Sequence, residues 1–221
     1  PGLALGWEIS PDAKTYTFRL RQGVRFHNGE PFNAPVAKWN LERGAAADTK
    51  NAHPEFFRQI EKIETPDDAT LRLTLKEVNA LFLFQMAEGD AVMLPMKGWE
   101  DTAARPIGTG PFRFIEWRRG DSVVLERNPN YWNPALPHLD RLTFRFIKDP
   151  SAQVAALKAG DVDVLGWILA PEIARGIARD QRFKILSGSS TSEVIMSTNN
   201  KAKPFDNKLV RQAMAHAIDR K

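Results

Sequence analysis

The sequence predicts an α/β protein that carries an inserted β-rich subdomain. Two observations carry this expectation. Through most of the stretch ending near Ile147, apolar residues tend to alternate with polar ones, the period of half-buried strands. After Asp149 short helix-like and strand-like segments take turns, the order of an α/β core.

Tyr16-Thr17-Phe18-Arg19-Leu20 alternates cleanly after the turn-forming Pro11-Asp12, which predicts a strand. Val24-Arg25-Phe26 alternates again and stops at His27-Asn28-Gly29, where Asn-Gly favours a tight turn. A helix is expected from about Ala34 to Arg43, capped by Asn33, with Pro35 in the first turn, where its missing N–H does no harm. Ile60 and Ile63 mark a further strand, Thr65-Pro66-Asp67-Asp68 a turn, and Leu71, Leu73 and Leu75 the returning strand. From Ala80 to Met96 the chain is apolar but irregular, with Glu88-Gly89-Asp90 as a polar break.

Strands are next expected from Phe112, over Ser122 to Glu126, and over Leu142 to Ile147. The loop from Asn128 to Pro134, with Tyr131 and Trp132, lies between the last two. Ser151 is placed to cap a helix over Ala152 to Lys158, and Gly160 to end it. Val162 to Leu165 reads as a short strand, Pro171 as a helix start, and Val194-Ile195-Met196 as a strand. The last helix puts Val210, Ala213, Met214, Ala217 and Ile218 on one continuous apolar face. Such a face needs a partner to bury it, so the chain is expected to be part of a longer protein.

Composition narrows the function classes. A chain of 221 residues suits one large domain or two small ones, and 43% hydrophobic with 26% charged residues is ordinary for a soluble globular protein. No apolar run approaches the roughly 20 residues of a membrane helix. The opening Pro1-Gly2-Leu3 lacks a signal peptide's basic start and apolar core, so a removed leader or an internal start is expected. Zero cysteines exclude disulfides, thiolate metal sites and cysteine nucleophiles within the chain. The formal net charge is +4, but the basic residues are scattered, which argues against a nucleic-acid partner.

Few motifs carry chemistry. Gly108-Thr109-Gly110-Pro111 is a poor phosphate loop, because Pro111 lacks an N–H and a strand follows; a structural turn is the better reading. Asp161 and Asp163 would share one face of a strand, but no nucleophile or base accompanies them. The four histidines show no metal-ligand spacing, so no metal site and no cofactor is expected. His27 reads as a turn residue, structural or exposed, and His216 lies off the apolar face of the last helix. Most of the six tryptophans are expected in the core.

Four motifs in register resemble one known family. They are Trp7 to Asp12 with Tyr16 to Phe32, Pro106 to Phe112 with Leu125 to Trp132, Ala155 to Val164, and Asn199 to Asn207 with Val210 to Arg220. Together they are similar to family 5 extracellular solute-binding proteins, which serve ABC importers of dipeptides, oligopeptides, nickel and glutathione. Ala34-Pro35-Val36 departs from the family, which usually has an acidic residue in place of the proline.

The resemblance implies a type II periplasmic-binding-protein-like fold, of which this chain supplies the first lobe without most of the second. It places a β-rich subdomain at residues 1–105, the α/β core of lobe I at 106–205, and the start of lobe II at 206–221. It implies a binding protein and not an enzyme: a monomer that captures a peptide or other small solute and hands it to a membrane permease. The location would be periplasmic or otherwise extracytoplasmic, with or without a membrane anchor. A stand-alone single-lobe interaction or chaperone module is the alternative. The resemblance also points to ligand-facing residues, His53 in one loop and Glu88, Gly89 and Asp90 in another. Each segment also reads as ordinary polar surface, the commoner outcome for a lone loop histidine.

Overall fold

The structure is a computed structural model that describes residues 2–168, 171–188 and 195–219. The chain divides into two compact units, Pro1–Val164 and Leu165–Lys221.

The first unit opens with a four-stranded antiparallel sheet in the order β1 (Ala4–Ile9), β2 (Thr15–Leu20), β4 (Thr70–Leu75), β3 (Ile60–Asp67). Alternation decides which face is buried. Tyr16, Phe18 and Leu20 on β2 and Leu71, Leu73 and Leu75 on β4 are all buried, while their neighbours in sequence are half-buried or exposed. The register sets Tyr16 opposite Leu73 and Phe18 opposite Leu71. Each such fully buried side chain contributes about 1.5–3 kcal/mol of hydrophobic stabilisation.

Helix α1 (Ala34–Ala45) packs on β3 and β4, with Val36, Ala37 and Leu41 in the core. Its start is as expected: Asn33 accepts from the Val36 N–H at 3.1 Å, and Pro35 sits in the first turn. Buried Asn40 donates to the carbonyls of Val36 (3.0 Å) and Leu94 (2.9 Å) and accepts from the Leu94 N–H (2.9 Å). One side chain thereby satisfies both backbone groups of Leu94 and ties the irregular segment to α1.

The second sheet is a meander of β5 (Phe112–Arg118), β6 (Ser122–Arg127) and β7 (Arg141–Arg145). His27 links the turn before Gly29 to the Gly108–Gly110 loop ahead of β5. Its backbone N–H donates to Gly108 O at 2.9 Å, its Nδ1 accepts from Gly108 N–H at 3.2 Å, and its Nε2–H donates to Gly110 O at 3.0 Å. The Gly108–Pro111 segment is thus a structural turn.

Burial, and secondarily Arg113, hold the His27 pKa below its ordinary 6.5, against an opposing pull from Gly110 O. A proton on Nδ1 would also face the Gly108 N–H, donor against donor. In the unfolded chain His27 takes a proton near pH 6.5, so the unfolded state binds more protons below that value. Stability is therefore complete above about pH 6.5 and falls as the pH drops towards the lower native value. In urea unfolding across pH about 5 to 8, the stability of the parent relative to His27→Gln should fall as the pH drops, a difference that isolates His27 from other titrating groups.

Several local expectations are corrected. β3 runs on through Thr65 and Pro66, and the turn is Asp68-Ala69. The register shifts between Glu64 and Asp67, a bulge that accommodates the proline, which has no N–H for the ladder. Asp67 closes the turn by accepting from the Ala69 N–H (2.8 Å) and the Thr70 hydroxyl (3.0 Å). Val24 to Phe26 makes one bridge, Arg25 to Pro31, and no strand, although the tight turn forms, with Gly29 at φ +89.

Helix α4 (Pro150–Ala159) is capped by Asp149, which accepts from the Ala152 N–H at 2.7 Å; Ser151 is already inside the helix. Gly160 ends it at φ +83, as expected. Val162 to Leu165 pairs with no strand among the described residues. Of the strand expected at Val194 to Met196, Val194 lies outside the described residues, and Ile195 and Met196 are not in a strand.

The second unit holds α5 (Pro171–Ala178) and α6 (Lys208–Ala217). Asn207 caps α6, accepting from the Leu209 N–H at 2.9 Å. On the apolar face of α6, Val210 and Met214 are half-buried and Ile218 is 47% exposed. No helix among the described residues is long and apolar enough to cross a membrane.

Candidate functional site

The first unit contains a cavity of about 460 Å³ between two segments that are distant in sequence. One wall comes from His53 and α2 (Pro54–Arg58), with Glu55, Phe56 and the following Gln59. The other comes from Asn79, from Gln85 on the four-residue helix α3 (Phe82–Gln85), and from Glu88 and Asp90.

Local chemistry explains both walls. Pro54 starts α2, whose Phe56 and Phe57 are buried, so Glu55 is turned outward and is exposed. Phe82 is fully buried, against Tyr16 at 4.8 Å and the cavity-lining Phe56 at 5.7 Å between ring centroids. Three amides form the floor. Asn79 Nδ2 donates to Gln59 Oε1 (2.7 Å) and Gln85 Oε1 (2.8 Å), and Asn79 Oδ1 accepts from the Leu81 N–H (2.9 Å). Polar floor groups are thus held in fixed orientation by one another.

The loop before α2 is bound to the short 3-10 turn Gly89–Ala91. Asn51 accepts from the His53 N–H and donates to Asp90 O, both at 2.9 Å. His53 Nδ1 meets Asp90 Oδ2 at 2.6 Å. That hydrogen bond, then the Asp90 and Glu55 charges, raise the His53 pKa above 6.5. The sign is opposite to that of His27. The contribution of this pair to stability is present below about pH 6.5 and is lost as the pH rises through the raised native value.

Of the residues expected to face ligand, His53, Glu88 and Asp90 line the cavity together, while Gly89 lies between the acids with open space around it. Glu55, Phe56, Gln59, Asn79 and Gln85 escape a reading of the sequence. The only hint is that Asn79 and Gln85 interrupt or border an apolar run. The lining holds three carboxylates and an imidazole and no lysine or arginine. No group of three or more potential ligand side chains is arranged to hold a metal ion among the described residues.

The other candidates lie elsewhere. Asp161 and Asp163 are exposed after Gly160 and share no strand. The tryptophans correct the expectation of a core role: Trp7, Trp117 and Trp167 are 49%, 42% and 65% exposed and the rest are half-buried. Trp39 and Trp99 instead flank the Arg43 guanidinium, at 5.5 and 5.3 Å, and Trp132 lies under Arg21 at 3.7 Å. Both are cation–π arrangements.

Comparison with known proteins agrees with this architecture. The chain matches the glutathione-binding protein GsiB of Pectobacterium atrosepticum at 34% identity over 99% of its length, and spans 43% of that protein. Among solved structures, NikZ from Campylobacter jejuni in complex with Ni(L-His) superposes with a TM-score of 0.84 at 27% identity. The oligopeptide-binding protein AppA from Bacillus subtilis, in complex with a nonapeptide, gives 0.82, also at 27% identity. In both cases 99% of this chain aligns with 45% of the other. The fold is thus mixed α/β and is part of that of the periplasmic binding proteins. The model of bacterial extracellular solute-binding proteins, family 5 middle region, matches residues 1–221, and the chain belongs to that family.

Proposed function

We propose that this chain is the solute-contacting part of the extracytoplasmic substrate-binding component of an ABC importer. It captures a peptide-like solute between two lobes and presents the closed complex to a membrane permease. Main-chain hydrogen bonds to an extended ligand and lobe closure are the physical basis for such capture. The protein acts in the periplasm or another extracytoplasmic space, as a monomer, and catalyses no reaction. Residues 1–105 form the β-rich subdomain of the first lobe, 106–205 its α/β core, and 206–221 the start of the second lobe. A boundary near Arg105 is supported by the gap between the last strand of one sheet, ending at Leu75, and the first of the next, starting at Phe112.

The observation that carries the reading is the cavity in which His53, Glu88 and Asp90 converge, in a chain of this family. Its test is calorimetry on the full chain encoded by the gene, with glutathione, a tripeptide and the nickel–histidine complex as solutes. At least one should bind, and Asp90→Ala should weaken it by about tenfold or more, the effect of losing a charge-assisted hydrogen bond. The melting temperature should change little, because the His53 side chain is 62% exposed and an ion pair open to solvent on one side contributes little to stability. No binding of any of the three would sink the reading. Unchanged affinity in Asp90→Ala would remove that residue from the site, and a large loss of stability would make it structural.

A further inference from the structure

We infer that the cavity takes the positively charged end of its solute, an ammonium or guanidinium group, and that this cation displaces the His53 side chain from Asp90. The inference rests on reading the cavity as the solute site; the cavity and the family carry that reading, and the charges decide only what the site prefers.

The charge balance is one-sided. Glu55, Glu88 and Asp90 line the cavity from three positions, and no lysine or arginine does. Glu55 and Glu88 are exposed and make no ion pair or side-chain hydrogen bond among the described residues, so solvent alone balances their charges. Beneath them the Asn79 amide is spent on Gln59, Gln85 and the Leu81 N–H. The floor therefore offers no free cation of its own and orients polar groups without neutralising the acids.

One internal cation competes for the site. His53 Nδ1 lies 2.6 Å from Asp90 Oδ2, and its ring belongs to the loop that Asn51 holds against the Gly89–Ala91 turn. The charged groups acting on that ring are Asp90 on the 3-10 turn and Glu55 on α2, both acidic, and Glu88 lines the same cavity. A protonated His53 therefore occupies the place a ligand cation needs. Once an ammonium or guanidinium takes over Asp90, the imidazole has lost its partner and gained a like charge nearby, and it gives up its proton to solvent.

The bound state thus holds fewer protons than the free state, so affinity for a cation rises with pH. The direction follows from His53 alone: its pKa is raised while it is paired and falls when the pair opens. Release of one proton limits the gain to about tenfold per pH unit.

The test uses the full chain encoded by the gene and three probes: N-acetyl-Ala-Arg-Ala, N-acetyl-Ala-citrulline-Ala and glutathione, the acetyl group removing the terminal ammonium from both tripeptides so that the arginine is their only cation. The two tripeptides have nearly the same shape and differ by one charge. The arginine peptide should bind on the order of tenfold more tightly than the citrulline peptide. Its affinity should rise between pH about 6 and 8, with proton release seen as a heat that depends on the buffer. His53→Gln should abolish the pH slope while keeping the preference, and Glu88→Gln with Asp90→Asn should abolish the preference. Equal affinity for the two tripeptides, or a preference that survives the double substitution, overturns the inference. A preference without a pH slope overturns the displacement of His53. Glutathione binding without an arginine preference leaves solute capture standing and removes only this inference, whereas no binding of any probe removes both.

Discussion

Phe82→Ala should lower the stability of the chain by about 3–5 kcal/mol and empty the candidate site at the same time. Phe82 is fully buried, and its ring meets Tyr16 at 4.8 Å and Phe56 at 5.7 Å. Part of the cost is lost transfer energy and part is the cavity left beneath two aromatic neighbours. The functional consequence follows because Phe82 is the one fully buried residue of α3, while Leu83 and the following Met86 are only partly buried against the core. That helix has four residues, and no side chain caps its start. Its position depends on Phe82 pointing into the core, and Gln85 on the same short helix belongs to the amide floor. Phe56 forms part of the opposite wall and would lose its aromatic partner. Urea unfolding and calorimetry with a bound solute read the two effects separately. Phe82→Leu should retain most of the stability, since it keeps an apolar group of similar reach. A loss below about 1 kcal/mol in Phe82→Ala would mean that the site collapses without penalty and that α3 is anchored by something else.

What the sequence makes legible is what is decided within a few residues. Asn33 and Pro35 mark the start of α1, and the alternation of Leu71, Leu73 and Leu75 marks β4, because a cap and a two-residue period are local events. Where two local signals compete, the reading slips. Thr65-Pro66-Asp67-Asp68 has turn chemistry throughout, yet the ladder tolerates Pro66 at a bulge, and the Asp67 side chain closes the turn one step later. Asp149 and Ser151 are both good caps, and only the backbone decides that Asp149 takes the role.

The site lies at the other extreme. His53 and Asp90 are 37 residues apart, and Asn79 meets Gln59 across 20. Nothing in either segment announces the other. Family resemblance points to His53 and to Glu88–Asp90 together, and the structure brings His53, Glu88 and Asp90 to one cavity, a proximity that periodicity does not carry. It missed Glu55, Gln59, Asn79 and Gln85, whose presence in the cavity follows from the packing of α2 and α3 over the sheet. The tryptophans differ for a related reason: size alone predicts a core place, whereas Trp39 and Trp99 flank Arg43, and Trp132 packs at the edge of the core beneath Arg21.

Gly44→Ala should destabilise the chain although alanine is the better helix former. Gly44 lies near the end of α1, and a methyl group there would sit 2.7 Å from Cγ and Cδ1 of Phe57. In an exposed helix the substitution gains about 0.5–1 kcal/mol. Here it forces atoms into contact closer than carbon permits, and Phe57 is only 3% exposed, so the ring has nowhere to turn. Overpacking of this kind costs about 1–3 kcal/mol, which outweighs the helix gain. The strain has one easy outlet, a displacement of α2 away from α1. That helix carries Glu55 and Phe56 into the cavity and follows directly on His53. The variant should therefore lose solute affinity as well as stability, through a wall moved by a few tenths of an ångström. Phe57→Leu in the Gly44→Ala background should restore part of both, because it removes the ring that meets the new methyl. Stability equal to or above that of the parent protein would show that Phe57 has room to move and that this contact does not set the position of α2.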